Sequence, residues 1–465
     1  MSRLSAFRHP LTRRRFIGTG LAAGAAASTT FAAPAIIRGK ARQATPTASG
    51  ELVEWGFGIQ ETNPLARARV LAFQDAFPDV DLQIVETFEV QNLLTGAASG
   101  NLPDVIWLSR GETATWAANG VLAPLTDYIE RDGYDTSVFY PFAIEETTYD
   151  GQIYGIPGGA DVRGLYVNLD HLDEIGVALE DLDTSDWDQL SEVGSQLAKV
   201  NGDQVERWGF DHKVQAGNLW QWGYGNGGSF LSEDGTEATF NMAENVEALQ
   251  WAVDAYEAQG GYTLYSAFAS TFQGDQQFAD GSVSMSIYEQ WMLSAAIATV
   301  APDMNFRLLP LRERGSGPDG PIATWSGGNG WFITTGAKNP DAAWEYIKFM
   351  HTDETWRIGA EAVKALRQEQ GNPYFPSLTG KPAVDQMQID ELYEPVGEAF
   401  DSAVELLPQL LEGSKQRELY RSPVGGQLDQ ILLNDGIKPA FEGSGEPQDT
   451  LDTANQNAQD AIDNF

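Results

Sequence analysis

Side chains that many enzymes use for catalysis are present in this sequence but do not form a catalytic pattern. The four histidines, His9, His171, His212 and His351, never form H-E-x-x-H, and neither G-x-S-x-G nor G-x-x-x-x-G-K-[ST] occurs. With 66 acidic residues, carboxylate pairs arise by chance at any spacing, so they do not indicate a glycosidase. We therefore expect no catalytic residue, no metal site and no cofactor.

Aromatic rings are the second group of candidate residues. The chain has 13 Trp, 15 Tyr and 22 Phe, and flat rings line pockets for polar ligands as well as cores. Trp220 and Trp222 fall in the Gly-rich stretch 218–230 (NLWQWGYGNGGSF), which is predicted to be a loop. Trp325 precedes Gly327 and Gly328, whose missing side chains allow backbone N–H groups to approach a ligand. Alternatively, the three Trp rings pack in the core, and the two glycines form a tight turn and do not contact a ligand.

Charge and cysteine content exclude several functions. The net charge is −37, and it is −42 without the five arginines of the first 35 residues. Such a surface repels phosphate backbones and anionic lipids, so neither nucleic acid nor an anionic membrane surface is an expected partner. The chain has no Cys, which excludes disulfides, thiolate zinc sites, thiol nucleophiles and a lipid-carrying cysteine.

The first 35 residues have the pattern of an export signal. The basic stretch 12–17 (TRRRFI) precedes an apolar run at 18–27 and the small residues Ala33-Pro34-Ala35. The stretch resembles a twin-arginine signal, and the apolar run is shorter than the roughly 20 residues of a spanning helix. We expect export of the chain, with a flexible linker at 36–50. An uncleaved signal that tethers the protein to the membrane is the alternative.

The sequence after residue 50 predicts a β-α-β-α-β order. Strands are predicted at 52–57, 80–84 and 105–108, with helices from Pro64 to Phe77 and from 90 to 98 between them. This order predicts a mainly parallel sheet covered by helices, and ligands of such sheets bind at the carboxyl ends of strands. The candidates there are Gln60, Glu61, Ser109 and Arg110, with Trp107 inside the third strand; solvation of the charged groups and core packing of the ring are the alternatives.

Three further elements are predicted downstream. A helix is expected at about 243–259, with Val246, Leu249, Val253 and Tyr256 on one face. Trp331-Phe332-Ile333 is predicted to be a strand, followed by a helix at 341–350. The tail from Glu442 is predicted to be a loop and a short helix.

Several segments, in order, resemble the family 1 extracellular solute-binding proteins, the maltose-binding-like receptors of ABC importers. They are Trp55-Gly56-Phe57, 73–78 (FQDAFP), 98–107 (ASGNLPDVIW), 120–125 (GVLAPL), 151–157 (GQIYGIP), Tyr166-Val167-Asn168, Trp187, 278–285 (FADGSVSM), Gly327-Gly328 and 342–349. None of these motifs is specific alone; their order behind an export signal carries the resemblance. Many members have a lipidated cysteine after the signal, which this chain lacks.

The resemblance implies a periplasmic-binding-protein-like α/β fold of type II, with two α/β lobes, a ligand cleft between them and hinge crossovers. The lobes are expected at 51–163 plus 309–352 and at 164–308 plus 353–465. Crossovers are expected near 164–168, near 306–310 and after about 350. The cleft is expected to close by a hinge motion, for which periplasmic binding proteins are the standard example.

The resemblance also implies the ligand and its contacts. A carbohydrate needs rings to stack on and charged or amide groups for its hydroxyls. Trp291 occupies the place where the family has a stacking ring. Asp161 and Arg163 lie at the expected cleft floor, and Arg367 and Arg421 can reach in from the last third. Alternatively, Trp291 packs in the core, Asp161 and Arg163 form an ion pair at the hinge, and Arg367 and Arg421 are simply solvated.

The predicted function is therefore capture of a mono- or oligosaccharide by a monomeric receptor, which delivers the sugar to ABC permease subunits in the membrane. Alternatives are another polar solute such as glycerol phosphate or a polyamine, a secreted carbohydrate-active enzyme, and a ligand-sensing subunit of a signalling partner. The sequence leaves the sugar, its linkage and its length open.

Overall fold

Helices and strands alternate from residue 50 onwards in the computed structural model, which describes residues 48–270 and 274–465. The predicted export signal and residues 36–47 of the predicted linker lie outside these residues. The strands are β1 (Gly50–Trp55), β2 (Val80–Val85), β3 (Val105–Ser109), β4 (Thr148–Tyr149), β5 (Gln152–Ile153), β6 (Gly155–Pro157), β7 (Arg163–Asn168), β8 (Lys199–Asn201), β9 (Gln204–Asp211), β10 (Val283–Glu289), β11 (Phe306–Leu309), β12 (Thr324–Trp325), β13 (Asn329–Ile333) and β14 (Ser414–Lys415).

The α-helices of the described residues are α1 (Pro64–Ala76), α2 (Gln91–Ser99), α3 (Thr113–Ala118), α4 (Thr126–Asp132), α5 (Pro141–Glu146), α6 (Leu169–Ile175), α7 (Trp187–Leu197), α8 (Leu219–Gly225), α9 (Ala243–Glu257), α10 (Tyr262–Ala269), α11 (Gly274–Ala279), α12 (Ala298–Val300), α13 (Pro340–Met350), α14 (Asp353–Glu369), α15 (Pro382–Met387), α16 (Glu398–Glu412), α17 (Gly425–Ile431), α18 (Lys438–Phe441) and α19 (Pro447–Asp463). Short 3₁₀ turns at Arg110–Glu112 and Glu418–Arg421 and a π-helical turn at Leu293–Ile297 also matter for the site.

Two five-stranded sheets define two lobes, so the predicted fold class is confirmed. The first sheet has the order β2-β1-β3-β13-β6, and β1 runs parallel to both β2 and β3, as the β-α-β-α-β pattern predicted. The second has the order β11-β7-β10-β9-β8. The chain therefore leaves the first sheet after β6, builds the second sheet, and returns to the first sheet as β13.

Helix α1 shows how the sequence builds the first lobe. Pro64 occupies its first turn, and the Asn63 side chain accepts a hydrogen bond from the Ala66 N–H at 3.2 Å. Val70 and Phe73 are buried in the same core as Leu52 of β1 and Trp331 of β13. Strand β3 buries Val105 on this face of the sheet and Ile106 on the other, as expected for a strand covered on both sides.

Helix α2 forms where it was predicted, but its apolar residues do not all face inwards. Gly100 ends it in the left-handed conformation, with φ of 68°. Leu93 is fully buried, whereas Leu94 is 54% exposed and Val90 also faces solvent. Apolar spacing thus identified the helix but overestimated the face that packs on the sheet.

The stretch predicted to be a loop around Trp220 and Trp222 is instead the helix α8. Both rings are only 2% exposed and belong to the main core of the second lobe. The Trp222 ring packs against Trp187 of α7 and Trp251 of α9, with ring centres 5.0 and 4.4 Å apart. Tertiary packing therefore stabilises a short helix that the glycines alone disfavour.

The last third differs from the expectation in two places. The tail contains α19, a helix of 17 residues, where only a short helix was predicted. Helix α14 packs against α1 of the first lobe. The predicted border at residue 352 assigns α14 to the second lobe, although it is in contact with a helix of the first. Helix α16, in contrast, packs against β11 of the second sheet. The exact lobe boundaries stay a prediction.

Candidate ligand-binding site

A set of charged and aromatic side chains, here called the junction cluster, lies where the chain passes between the two sheets. It consists of Asp161, Arg163, Glu289 and Trp325. Arg163 begins β7, Glu289 ends β10, and the two are paired across these strands. The Arg163 guanidinium donates to Asp161 at 2.5 Å and to Glu289 at 2.7 Å. Sheet pairing thus places one guanidinium between two carboxylates.

Asp161 also connects the cluster to the Gly-rich loop after β12. Its carboxylate accepts a hydrogen bond from the Gly327 N–H at 2.8 Å. The Thr324 hydroxyl donates to the Arg163 carbonyl at 3.0 Å. The two chain passages between the sheets, at 158–163 and 324–328, are therefore bonded to each other beside the cluster.

Trp325 is enclosed by protein groups. The guanidinium carbon of Arg163 lies 3.5 Å from the centre of its ring, and that of Arg417 lies 5.2 Å away. Trp220 meets the ring edge-on, with centres 4.3 Å apart. The indole N–H of Trp325 is buried without a hydrogen-bond partner in the described residues. In this structure the Trp325 ring, a predicted ligand contact, is covered by an arginine of the chain itself.

Arg110 is fully buried below the Gly-rich loop. Its Nε donates to Glu146 at 2.8 Å, its Nη2 donates to the Gly327 carbonyl at 2.8 Å, and its Nη1 donates to the carbonyls of Gly159 and Asn329. Burial raises the pKa of Glu146 to about 7, although the Arg110 charge opposes the shift. Arg110 was predicted to contact ligand, but each of its nitrogens is already bonded to the protein.

The other candidates at the carboxyl ends of β1 and β3 lie at the surface. Gln60 donates to Glu86 at 2.7 Å, and Glu61 pairs with Arg67 at 3.5 Å. Ser109 is exposed at the end of β3. Trp107 is half-buried, and its ring packs against Phe57 and Trp331, with centres 5.1 and 4.7 Å apart. The structure does not bring these four residues together with the junction cluster.

Trp291 lies on the wall of an open cavity of about 540 Å³, here called the Trp291 cavity. One wall comes from the first lobe, with Thr62 to Leu65 at the start of α1 and with Val363, Leu366 and Arg367 of α14. The opposite wall comes from the second lobe, with Gln290, Trp291, Leu293 and Ser294 directly after β10. The Trp291 ring is 41% exposed, and Tyr288 packs edge-on against it at 5.0 Å. An exposed ring between two lobes is available to a ligand.

Arg367, which was predicted to reach in from the last third, lines the same cavity. Its Nε donates to the Pro373 carbonyl at 3.1 Å, and its Nη2 donates to the Ser294 carbonyl at 3.0 Å. The second bond joins α14, which packs on the first lobe, to the turn after β10 in the second lobe. The structure thus brings Arg367 and Trp291 to the same cavity.

Three residues at or beside the junction cluster, among them its member Glu289, were not predicted from the sequence. Lys213, Tyr288 and Glu289 surround a small cavity of about 50 Å³ that also contacts Arg163 and Trp325. Lys213 pairs with the buried Asp211 at 2.5 Å. Burial raises the pKa of Asp211, but Lys213 and the hydroxyls of two tyrosines lower it more, so the net shift is downwards. These residues follow or end β9 and β10, so the strand-end rule would have found them if the second sheet had been recognised.

Arg421 lines a different cavity, of about 620 Å³, which shares no residue with the Trp291 cavity. Its Nε donates to Gln416 at 3.3 Å. The walls include Glu145 of α5 and Glu418, so this cavity carries both signs of charge. Arg421 is therefore not brought together with Trp291.

No helix of the described residues combines the length and the apolar character that crossing a bilayer requires.

Comparison with known proteins agrees with this architecture. Residues 68–366, more than half of the chain, match the family model described as bacterial extracellular solute-binding protein. The lactose-binding protein of Rhizobium radiobacter is 23% identical over 325 residues, which cover 67% of this chain and 72% of that protein. The arabinooligosaccharide-binding protein of Halalkalibacterium halodurans is 25% identical over 319 residues, covering 65% and 68%.

Solved structures share the fold. The sugar-binding protein MalE from Xanthomonas citri superimposes with a TM-score of 0.71 at 18% identity, covering 89% of this chain and 98% of that one. The substrate-binding protein Lmo0181 from Listeria monocytogenes, solved in complex with cycloalternan, gives 0.70 at 21% identity, covering 90% and 100%. With two sheets, an open cavity between them and this family match, the chain belongs to the bacterial extracellular solute-binding proteins.

Proposed function

We propose that this protein captures a carbohydrate, a mono- or oligosaccharide, between its two lobes and delivers it unaltered to the membrane subunits of an ABC importer. The observation that carries the proposal is the half-exposed Trp291 ring on the wall of a 540 Å³ cavity lined by both lobes. A pyranose presents C–H groups on its face and hydroxyls at its rim, so it suits a flat ring flanked by amides and hydroxyls.

The neighbouring side chains support a sugar over the two other solutes that the sequence left open. Trp291 offers a flat surface that glycerol phosphate, which has no ring, cannot use. Gln290 and Gln370 offer neutral amides to hydroxyl groups. No Asp or Glu of the described residues lines the cavity, so a polyamine would find no counter-charge among them. Relatives named as lactose- and arabinooligosaccharide-binding proteins support the same class of ligand.

Export, partnership and assembly belong to the same proposal. The export signal predicted at residues 1–35, of twin-arginine type, would bring the chain to the extracytoplasmic side, where the family works. We propose that it acts as a monomer on ABC permease subunits and that it binds sugar without any chemical step. These features together are those of a maltose-binding-like sugar receptor, the type of protein that the sequence resembles.

A ligand panel tests the proposal. The purified protein is heated with neutral and acidic mono- and oligosaccharides, glycerol phosphate and polyamines, and the sugars are recovered and analysed afterwards. A receptor gains melting temperature with at least one saccharide and returns it intact. Cleavage of a saccharide would support the alternative of a secreted enzyme, and a response to polyamine or glycerol phosphate alone would refute the sugar assignment.

The variant Trp291→Ala links binding to this cavity. Loss of the ring is expected to weaken binding of the best saccharide about tenfold or more. The melting temperature without ligand should hardly change, because the ring is partly exposed. Val300→Ala, which removes another exposed apolar side chain from the second lobe, is the matched control and should bind like the unchanged protein. Equal affinity of the Trp291→Ala variant would remove this cavity from the site.

A further inference from the structure

The Trp291 cavity has an unusual charge pattern for such an acidic protein. Eighteen residues line it, and Arg367 is the one formally charged residue among them. The chain as a whole has 66 acidic and 29 basic residues. The 620 Å³ cavity beside Arg421 shows the usual mixture, with three glutamates facing two arginines and a lysine. Within the part of the chain that the structure describes, no acidic side chain therefore lines the cavity around Trp291.

Arg367 is not paired with a carboxylate of the described residues. It forms no ion pair within residues 48–270 and 274–465, and its bonded partners are the backbone carbonyls of Pro373 and Ser294. Partial burial lowers its pKa, and no charged neighbour opposes this shift. Its Nη1 makes no hydrogen bond to any described part of the chain. The two carbonyls fix the guanidinium plane at the cavity wall and leave donors for another group.

The junction cluster has the opposite character. Arg163 already pairs with Asp161 and Glu289, and Lys213 pairs with Asp211. Cations near the 50 Å³ cavity are therefore matched by carboxylates of the protein. A negative charge on a ligand finds an unmatched cation at Arg367 and not at the junction cluster.

We propose that the carbohydrate held in the Trp291 cavity carries a carboxylate, as a uronic acid does, and that Arg367 pairs with it while Trp291 stacks on the sugar ring. This inference rests on the proposed function and names the class of saccharide. A guanidinium matches a carboxylate with two parallel hydrogen bonds, and such charge-assisted bonds are about twice as strong as neutral ones. The local cation overcomes the repulsion that the acidic surface exerts on an anion.

Matched sugar pairs test the proposal on the full protein. Binding is measured by calorimetry for disaccharides of glucuronate and glucose, galacturonate and galactose, and mannuronate and mannose. In at least one pair the acidic member should bind about tenfold more tightly or better, and this advantage should shrink as salt is added. If every neutral member binds as tightly as its acidic counterpart, the acidic-ligand assignment is wrong although the sugar-binding function stands. If no saccharide binds, both are wrong.

Variants of Arg367 assign the effect to this side chain. Arg367→Gln should remove the advantage of the acidic sugar and leave affinity for its neutral counterpart within about threefold. Arg367→Lys keeps the charge but not the planar fork, so it should retain part of the advantage. Arg357→Gln, in the same helix but outside the cavity, is the charge-matched control and should retain all of it.

A purely structural role of Arg367 predicts another result. If its bond to Ser294 merely holds the lobes together, Arg367→Gln should weaken acidic and neutral sugars by the same factor. That outcome would overturn the proposal. If the glutamine variant does not fold, the lysine variant decides the question through the ratio of the two affinities.

Discussion

The guanidinium carbon of Arg163 lies 3.5 Å from the centre of the Trp325 ring, and the same guanidinium pairs with Asp161 and Glu289. One side chain therefore joins the strand that enters the second sheet, the end of β10 and the segment that returns to the first sheet. Both carboxylates pair with this one guanidinium, which also covers the ring. The position makes Arg163 a structural link between the lobes as well as a candidate ligand contact.

Replacement of Arg163 by Met should destabilise the protein by about 3 kcal/mol, because two carboxylates lose their shared counter-charge in a poorly solvated place. The measurement is the urea midpoint at neutral pH, with the slope of the transition checked for two-state behaviour. Arg307→Met is the control, since Arg307 pairs with Glu398, which is 86% exposed. It should cost about 0–1 kcal/mol. Equal losses in the two variants would contradict the structural role of Arg163.

Arg110 and Glu146 form a pair in which neither side chain is exposed. Arg110→Met should cost about 3–5 kcal/mol, because it leaves Glu146 buried without its partner and removes one hydrogen bond from each of three backbone carbonyls. The double variant Arg110→Met, Glu146→Leu should recover about 1 kcal/mol or more, because no unpaired carboxylate remains. Urea unfolding of the single and double variants measures this coupling. A double variant less stable than Arg110→Met would refute it.

Arg110 shows which part of a binding site can be predicted from the position of a residue at the end of a strand, and which part cannot. The sequence placed it correctly at the carboxyl end of a buried strand, where ligands of α/β sheets bind. Its partner Glu146 lies 36 residues further on, in α5, and no local pattern links the two. The position of a residue at the end of one strand predicts where its backbone lies in the sheet. Whether its side chain is free to bind a ligand depends on a partner that is distant in sequence.

The second lobe was harder to predict for a similar reason. The Gly-rich stretch around Trp222 has the composition of a loop, yet the ring packs between Trp187 and Trp251 and its N–H donates to the His212 carbonyl at 3.0 Å. These contacts come from three other elements. The first lobe was more accessible to prediction, because its alternating strands and helices are continuous in sequence from β1 to β3.

Gly328 adopts a backbone conformation that favours glycine, with φ of 142°. A Cβ at this position would overlap the Gly159 carbonyl and lie 2.5 Å from Nη1 of Arg110. Gly328→Ala should therefore lower stability by about 2 kcal/mol or more. Gly426→Ala, in α17 with no neighbouring atom within 4 Å, should instead raise stability by about 0.5–1 kcal/mol. Thermal unfolding of both variants tests the contrast, and a stabilising effect at Gly328 would show that the loop has room there.

His212 should make stability depend on pH. Its ring is fully buried, its Nε2 lies 2.9 Å from the Ala252 carbonyl, and its Nδ1 accepts a hydrogen bond from the Val214 N–H at 3.2 Å. These two bonds select the neutral ring with the proton on Nε2. A second proton would have to replace the bond from Val214. Burial, the main cause, lowers the pKa of His212 from 6.5 to about 4.

The sign of the pH effect follows from this shift. Below pH 6.5 the unfolded chain takes up a proton at His212 that the folded protein refuses until about pH 4. The contribution of His212 is therefore fully present above pH 6.5 and falls by about 1.4 kcal/mol per pH unit between 6.5 and about 4. Urea midpoints of the unchanged protein and of His212→Gln, measured at pH 7.5, 5.5 and 4.5, isolate this contribution because the other titrating groups are common to both. As the pH falls, the free energy of unfolding of the unchanged protein should decline more steeply than that of His212→Gln. Parallel declines of the two proteins would mean that the His212 ring is already protonated, or reached by water, in the folded state.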